Sequence, residues 1–141
     1  MATLFTYGSL SLPEVMKTLT GREFESAEAD AQDFDRYLLR GKPYPALVRR
    51  DGRNTKGRLY FEVDADTLDV LDKFEDDCYV REEISVTVRG GELLSVSAAA
   101  YVLPQEQAKL LSREPWSEEK FRAVYLDNYL RMCDSFYRKY P

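Results

Sequence analysis

The sequence predicts an α+β protein, a mixed and mostly antiparallel sheet flanked by helices. Two observations carry that expectation. Runs rich in β-branched and aromatic residues fall at 24–29, 36–40, 46–50, 57–63, 79–88 and 93–102, and Gly90-Gly91 joins the last two as a hairpin turn. Elsewhere, three segments place apolar residues at three- and four-residue spacing behind a capping residue, the mark of amphipathic helices.

The chain opens on a β-favouring run, Thr3-Leu4-Phe5-Thr6-Tyr7, which breaks into Gly8-Ser9-Leu10 and then Ser11-Leu12-Pro13-Glu14. Ser11 and Glu14 fit a capping box and Pro13 suits a first turn, so a helix is expected from Leu12. Val15, Met16 and Leu19 give it an apolar stripe, and Gly21 a stop. Gly41-Lys42-Pro43-Tyr44-Pro45 is read as an extended loop whose prolines restrict Tyr44. Arg49, Arg50, Arg53, Lys56 and Arg58 cluster around Asp51-Gly52, as at a solvated hairpin. Asp64 caps a second helix over 65–74. The last helix is expected over 117–140, with Ser117 as cap and Glu118 and Glu119 at its dipole-favoured end. Phe121, Val124, Tyr125, Tyr129, Met132, Phe136 and Tyr140 form its apolar face, which is wide enough to serve as core, as a homodimer surface or as a partner groove.

Composition excludes several classes of function. The 141 residues, 44% hydrophobic, suit one domain over 1–141 with a substantial core. No 18-residue apolar run and no secretory leader is apparent, so no membrane partner and a cytoplasmic location are expected. A net charge of −5 argues against nucleic acid as a partner. Cys78 and Cys133 have neither disulfide-scaffold nor zinc spacing and are expected to be reduced thiols. No metal is expected either: Asp64, Asp66, Asp69, Asp72, Glu75, Asp76 and Asp77 are scattered around the second helix and lack the glycine-hinged loop of a calcium site. The chain has no histidine, so acid–base chemistry near neutral pH falls to a carboxylate, Lys, Tyr or Cys.

Two segments then stand out. Residues Gly8 to Leu10 lie between a strand end and a helix start, where free backbone amides can bind an anion or oxyanion. On the second helix, about 100° per residue brings Leu68, Leu71, Phe74 and Glu75 into one arc. Glu75 is thus a carboxylate on the apolar side, where burial raises its pKa toward the range of a general acid or base. The alternative is that the helix ends at Phe74 and Glu75 joins Asp76 and Asp77 in a solvated turn.

The ordered set Phe5-Thr6-Tyr7-Gly8-Ser9-Leu10, Tyr44-Pro45-Ala46-Leu47-Val48, Lys56-Gly57-Arg58-Leu59-Tyr60-Phe61-Glu62-Val63, Leu71-Asp72-Lys73-Phe74-Glu75 and Tyr79-Val80-Arg81 resembles the gamma-glutamyl cyclotransferase-like superfamily. The closer resemblance is to its gamma-glutamylamine cyclotransferase and avirulence-induced-gene branch. It covers residues 3 to 103, which makes 1–103 a family-like core and 104–141 a C-terminal helical extension. The resemblance implies a small β-barrel-like sheet flanked by helices. It further implies that Tyr7, Gly8, Ser9 and Leu10 hold a γ-glutamyl group, that Glu75 moves protons and that Tyr79 lines the same pocket. The implied reaction is cyclisation of a γ-glutamyl amide to 5-oxoproline with release of an amine. The substrate's own α-amine is the nucleophile, so no cofactor and no catalytic Ser, Cys or His is required. On the same fold, a non-catalytic small-molecule binder or a protein-interaction module is the alternative.

Overall fold

A computed structural model describes residues 1–90 and 94–140. In chain order the elements are β1 (Ala2–Thr6), a 3-10 turn (Ser9–Ser11), α1 (Pro13–Thr20), β2 (Ser26–Leu38), β3 (Pro45–Val63), α2 (Ala65–Phe74), β4 (Val80–Val88) and β5 (Leu94–Val102). A second 3-10 turn (Gln105–Leu110), α3 (Glu118–Val124) and α4 (Leu126–Lys139) follow. Neighbouring strands pair in the order β1-β3-β2-β4-β5, all antiparallel, and a parallel contact between Leu4 of β1 and Ala99 of β5 closes the sheet into a ring. The α+β, mostly antiparallel arrangement with flanking helices is therefore present.

Side-chain alternation along the strands divides the core in two. Phe5, Phe34, Leu47, Leu59, Ile84, Val86, Ala98, Ala100 and Val102 belong to one cluster drawn from all five strands and no helix, which places it inside the ring. Ala29 and Ala31 add small side chains there, as a narrow ring requires. Leu4, Tyr60, Ala99 and Tyr101 point the other way and pack with Leu12, Val15, Met16 and Leu19, Leu71 of α2, and Phe121 and Cys133 of the C-terminal helices. Helices thus cover the outside of the ring next to β1 and β5.

Several local expectations are corrected. Ser11 does not cap α1. Its hydroxyl donates to the Gly8 carbonyl at 2.6 Å, inside a 3-10 turn, and Leu12 occupies the cap position without a side-chain bond. Glu14 instead forms an ion pair with Arg122 of α3 at 3.0 Å. Pro13 does open the helix, and Gly21, at φ 72°, ends it. The strands expected at 24–29 and 36–40 merge into β2, and those at 46–50 and 57–63 merge into β3. Where a solvated hairpin was expected, Asp51-Gly52 lies within β3. The register there shifts around Asp33, whose carboxylate accepts from the Gly52 amide at 2.9 Å. The expected 117–140 helix is two helices broken at Tyr125, where φ is −116°. Val88 pairs with Leu94 across the expected β4–β5 hairpin; Gly90 has φ 96°, while Gly91 and Leu93 lie outside the described residues.

Two predicted caps are seen. Asp64 accepts from the Thr67 amide at 3.3 Å, and this bond with the Thr67 hydroxyl and the Arg22 guanidinium holds its carboxyl down at about 2. Ser117 accepts from the Lys120 amide at 3.2 Å. Both thiols are free, Cys133 buried and Cys78 half-buried, and burial raises both. Among the described residues no helix is long and apolar enough to cross a membrane, and no cluster of three or more His, Cys, Asp or Glu side chains suits a metal ion.

Candidate active site

The ring fixes the segment that follows β1. Because β1 is paired on both sides, Tyr7 leaves it in a determined position. The Tyr7 hydroxyl donates to the Tyr101 carbonyl of β5 at 2.6 Å, and the Arg36 guanidinium donates to the Tyr7 carbonyl. The chain then turns so that its carbonyls are used up internally. Gly8 C=O accepts from both the amide and the hydroxyl of Ser11, and Leu10 C=O accepts from the buried Tyr60 hydroxyl at 2.7 Å. Gly8 passes close to Pro45: an added Cβ would stand 2.8 Å from the proline Cδ. Among the described residues the amides of Gly8, Ser9 and Leu10 donate to no carbonyl or side chain, so the turn presents donors without acceptors.

The Tyr60 bond is a tie between sheet and turn. Tyr60→Phe is expected to leave the Leu10 carbonyl buried without a donor and to destabilise the protein by about 1–3 kcal/mol, read as a lower midpoint in urea unfolding. An unchanged midpoint would show that the turn holds without this tie.

These residues form one wall of a cavity of about 340 Å³. Tyr44 and Pro45 from the loop before β3, Phe74 to Asp76 at the end of α2, Tyr79, Tyr101 and three side chains of α4 complete it. The structure therefore brings Tyr7, Gly8, Ser9, Leu10, Glu75 and Tyr79, separated in sequence, to one cavity.

Glu75 reaches it by a route that combines the two sequence readings. The helix does end at Phe74, and Glu75 is the residue that leaves it, at ψ 150°, with its amide still bound to the Leu71 carbonyl at 2.9 Å. Its side chain nevertheless turns to the cavity rather than to a solvated loop. Among the described residues its carboxyl makes no hydrogen bond and no ion pair, and its oxygens are open to the cavity. Burial, then the charges of Asp76 and Asp72, push its pKa up to about 8. The neighbouring carboxylates are held apart by their own partners. Asp76 accepts from the Tyr44 hydroxyl at 3.0 Å and from the Cys78 amide at 3.2 Å; Asp72 accepts from the Tyr101 hydroxyl at 2.6 Å and pairs with Arg81.

The tyrosines are fixed as well. Tyr79 donates to the Pro45 carbonyl at 2.6 Å, which ties the entry to β4 to the loop before β3. Ser9 donates to the Tyr129 hydroxyl at 2.8 Å, leaving the Tyr129 proton free to face a ligand. Burial raises Tyr7, Tyr79 and Tyr129 well above the ordinary tyrosine value, so each hydroxyl stays protonated. Among the described residues no lysine or arginine lines the cavity.

Tyr44, Asp76, Tyr101, Tyr129, Met132, Phe74 and Phe136 line the cavity without having been singled out as site residues. Two signals pointed at some of them: the proline bracket around Tyr44, and an apolar stripe on the last helix wider than packing alone needs. Tyr101 gave none, since its β5 position reads as ordinary sheet.

The five-stranded, mostly antiparallel ring flanked by helices matches the fold of gamma-glutamyl cyclotransferase-like proteins. It matches the solution structure of an Arabidopsis thaliana protein with a TM-score of 0.70 at 22% identity, covering 93% of this chain and 87% of that one. The crystal structure of an AIG2-like protein from Mus musculus matches with a TM-score of 0.63 at 27% identity, covering 84% and 90%. A structure named gamma-glutamyl cyclotransferase shares the fold with a TM-score of 0.56 at 16% identity, over 93% of this chain and 98% of that one.

The chain belongs to the family "Gamma-glutamyl cyclotransferase, AIG2-like", whose match spans residues 4–118. It is 29% identical to AIG2-like protein D of Arabidopsis thaliana over 136 residues, 96% of this chain and 89% of that protein. AIG2-like protein C of the same plant is 35% identical over 83 residues, 59% of this chain and 48% of that protein.

Proposed function

We propose that the protein is a gamma-glutamyl cyclotransferase that converts γ-glutamyl amines or γ-glutamyl amino acids to 5-oxoproline and the free amine. The observation that carries this reading is Glu75, an unpaired carboxyl with a pKa of about 8 in the same cavity as the unpartnered amides of Gly8, Ser9 and Leu10. A pocket that only bound an anionic ligand would gain nothing from a desolvated acid facing it.

The chemistry follows from these groups. In the substrate the α-nitrogen is an ammonium and must lose a proton before its lone pair can attack the δ-carbonyl carbon. The Glu75 carboxylate takes that proton; because α-amino groups titrate near 8, the transfer is close to balanced. Attack forms the ring C–N bond and places negative charge on the δ-oxygen, which the free amides of the turn can stabilise. Collapse breaks the bond to the leaving nitrogen, and Glu75 returns its proton there. The ring nitrogen gives up a second proton by the same carboxylate. Of the three ammonium protons, one remains on the lactam and two depart with the amine as its ammonium ion, so no water is consumed. Tyr7 and Tyr79, held by their carbonyl partners, shape the cavity so that the glutamyl chain folds on itself.

Incubation with γ-glutamyl amines and γ-glutamyl amino acids, with 5-oxoproline as the readout, tests the reading; release from none of them would leave a binding module on this fold. The pH dependence is a second test. In the free protein the carboxylate form of Glu75 disappears below its pKa, so kcat/KM is expected to fall about tenfold per pH unit below about 8. A profile flat between pH 6 and 8 would remove Glu75 from the proton transfer.

A further inference from the structure

We infer that the cavity selects γ-glutamyl compounds whose leaving amine carries an uncharged aromatic or branched apolar group, with α4 setting that choice; this rests on the cyclotransferase reading. The polar half of the cavity is spent on the glutamyl group: the free amides of the turn, Glu75 and the Tyr129 hydroxyl. What remains is a wall of Phe74, Tyr129, Met132 and Phe136. Phe74 lies edge-on to Tyr129, with ring centres 6.0 Å apart, and edge-on to Phe136 at 5.3 Å, so the three rings form a continuous apolar surface. Tyr129, Met132 and Phe136 are spaced three and then four residues apart, on one face of α4. That face starts at Ser9, through the Tyr129 hydroxyl, and reaches the outside at Met132, which is 48% exposed. A thioether left open at the rim of a ring-lined cavity is a surface for an apolar substituent.

Charge points the same way. Among the described residues the cavity is lined by the Asp76 carboxylate and by no cation, so an acidic leaving group meets repulsion and no partner. A cationic one finds only Glu75, which the glutamyl α-nitrogen occupies, and Asp76, whose oxygens already accept from the Tyr44 hydroxyl and the Cys78 amide. The volume of about 340 Å³ is at the small end for ligand pockets and suits a glutamyl group with one ring-sized substituent. Most of this wall comes from α4, residues 126–139, beyond the 4–118 span of the family match. The glutamyl-binding and leaving-group halves are thereby built from separate parts of the chain.

Three probes test the inference: N-γ-glutamyl-phenethylamine, N-γ-glutamyl-1,4-diaminobutane and γ-glutamyl-glutamate, each followed by 5-oxoproline release. The phenethylamide is expected to exceed the other two in kcat/KM by about tenfold or more, the scale on which apolar pockets discriminate. Met132 is half exposed and tolerates a charge, so Met132→Lys should shift the ratio toward the glutamate conjugate by about tenfold, and Met132→Glu should shift it toward the diamine conjugate. The opposite signs of the two variants separate recognition from any common loss of folding. Equal or inverted preference in the unmodified protein, or ratios that ignore both substitutions, overturns the inference while 5-oxoproline release upholds the reaction. Absence of 5-oxoproline from all three overturns the cyclotransferase reading and the inference with it.

Discussion

Glu75→Gln is expected to lose γ-glutamyl cyclisation by about 10²–10⁴-fold and, at the same time, to become more stable than the parent protein at alkaline pH. Both effects come from one desolvated carboxyl. An amide of the same shape keeps the cavity but cannot carry a proton from the α-nitrogen to the leaving nitrogen. The stability effect follows from linkage. Glu75 titrates near 4.5 when exposed and at about 8 in the folded protein, so between those values the folded state holds a proton that the unfolded chain releases. Its contribution is fully present below about 4.5 and is lost as pH rises through 8. Glutamine has no such proton to lose. Urea unfolding of the two proteins should give similar stabilities near pH 5 and a gap on the order of 3 kcal/mol in favour of the variant at pH 9. Parallel pH dependences would mean that Glu75 is solvated, and near-normal 5-oxoproline release would move the proton transfer elsewhere.

Gly57→Ala should produce the largest loss of stability of any single methyl addition in the site's framework. A Cβ at this position would run into the Thr6 carbonyl and stand 2.7 Å from Cζ of the Phe5 ring. A side chain could rotate away, but the carbonyl belongs to β1 and pairs it with β3, where Phe5 faces Leu59 and Thr6 faces Arg58. Relief therefore requires the two strands to separate at the point where β1 delivers Tyr7 and Gly8 to the cavity. Overpacking of this kind costs about 3 kcal/mol, and displacement of the turn by a fraction of an ångström should lower kcat/KM about a hundredfold. Thermal unfolding and steady-state kinetics of the same sample measure both. A variant with the parent's Tm and activity would show that the strands part here at no cost.

The parts of the molecule that were legible in the sequence are those governed by short-range rules. Asp64 and Ser117 cap the helices they precede, Gly21 stops α1, and the runs rich in β-branched and aromatic residues on either side of the expected Gly90-Gly91 turn are the paired strands β4 and β5. Glu75 could be placed near apolar surface because Leu68, Leu71 and Phe74 precede it at helical spacing; that it leaves the helix and still faces the cavity depends on where α4 lies, which no local pattern encodes. Ser11 was misread because a hydroxyl three residues before a glutamate can equally donate backward, and the Gly8 carbonyl was in reach. The break at Tyr125 left no trace since neither Gly nor Pro marks it, and Phe121 and Tyr129 keep the same apolar phase on either side. The single long β3 was hidden by Asp51-Gly52-Arg53-Asn54, turn-forming residues here absorbed by a register shift opposite Asp33. Tyr44, Tyr101 and Tyr129 join the site only through ring closure and helix docking, contacts over tens of residues.

The parallel seam between Leu4 and Ala99 also bears on how the protein comes into being. The first strand of the chain must wait for the last one before the ring can shut, and the cavity wall waits longer still, for α4 to dock. Pairings this distant in sequence carry a large loop-closure entropy and place a chain among slow folders, in the millisecond-to-second range. A nascent polypeptide can form β2 against β3 early, since they are adjacent, but the cavity cannot exist until α4 has left the ribosome. Chains halted short of α4 would leave the rings of Phe74 and Phe121, which pack on Tyr129, open to chaperones and proteases.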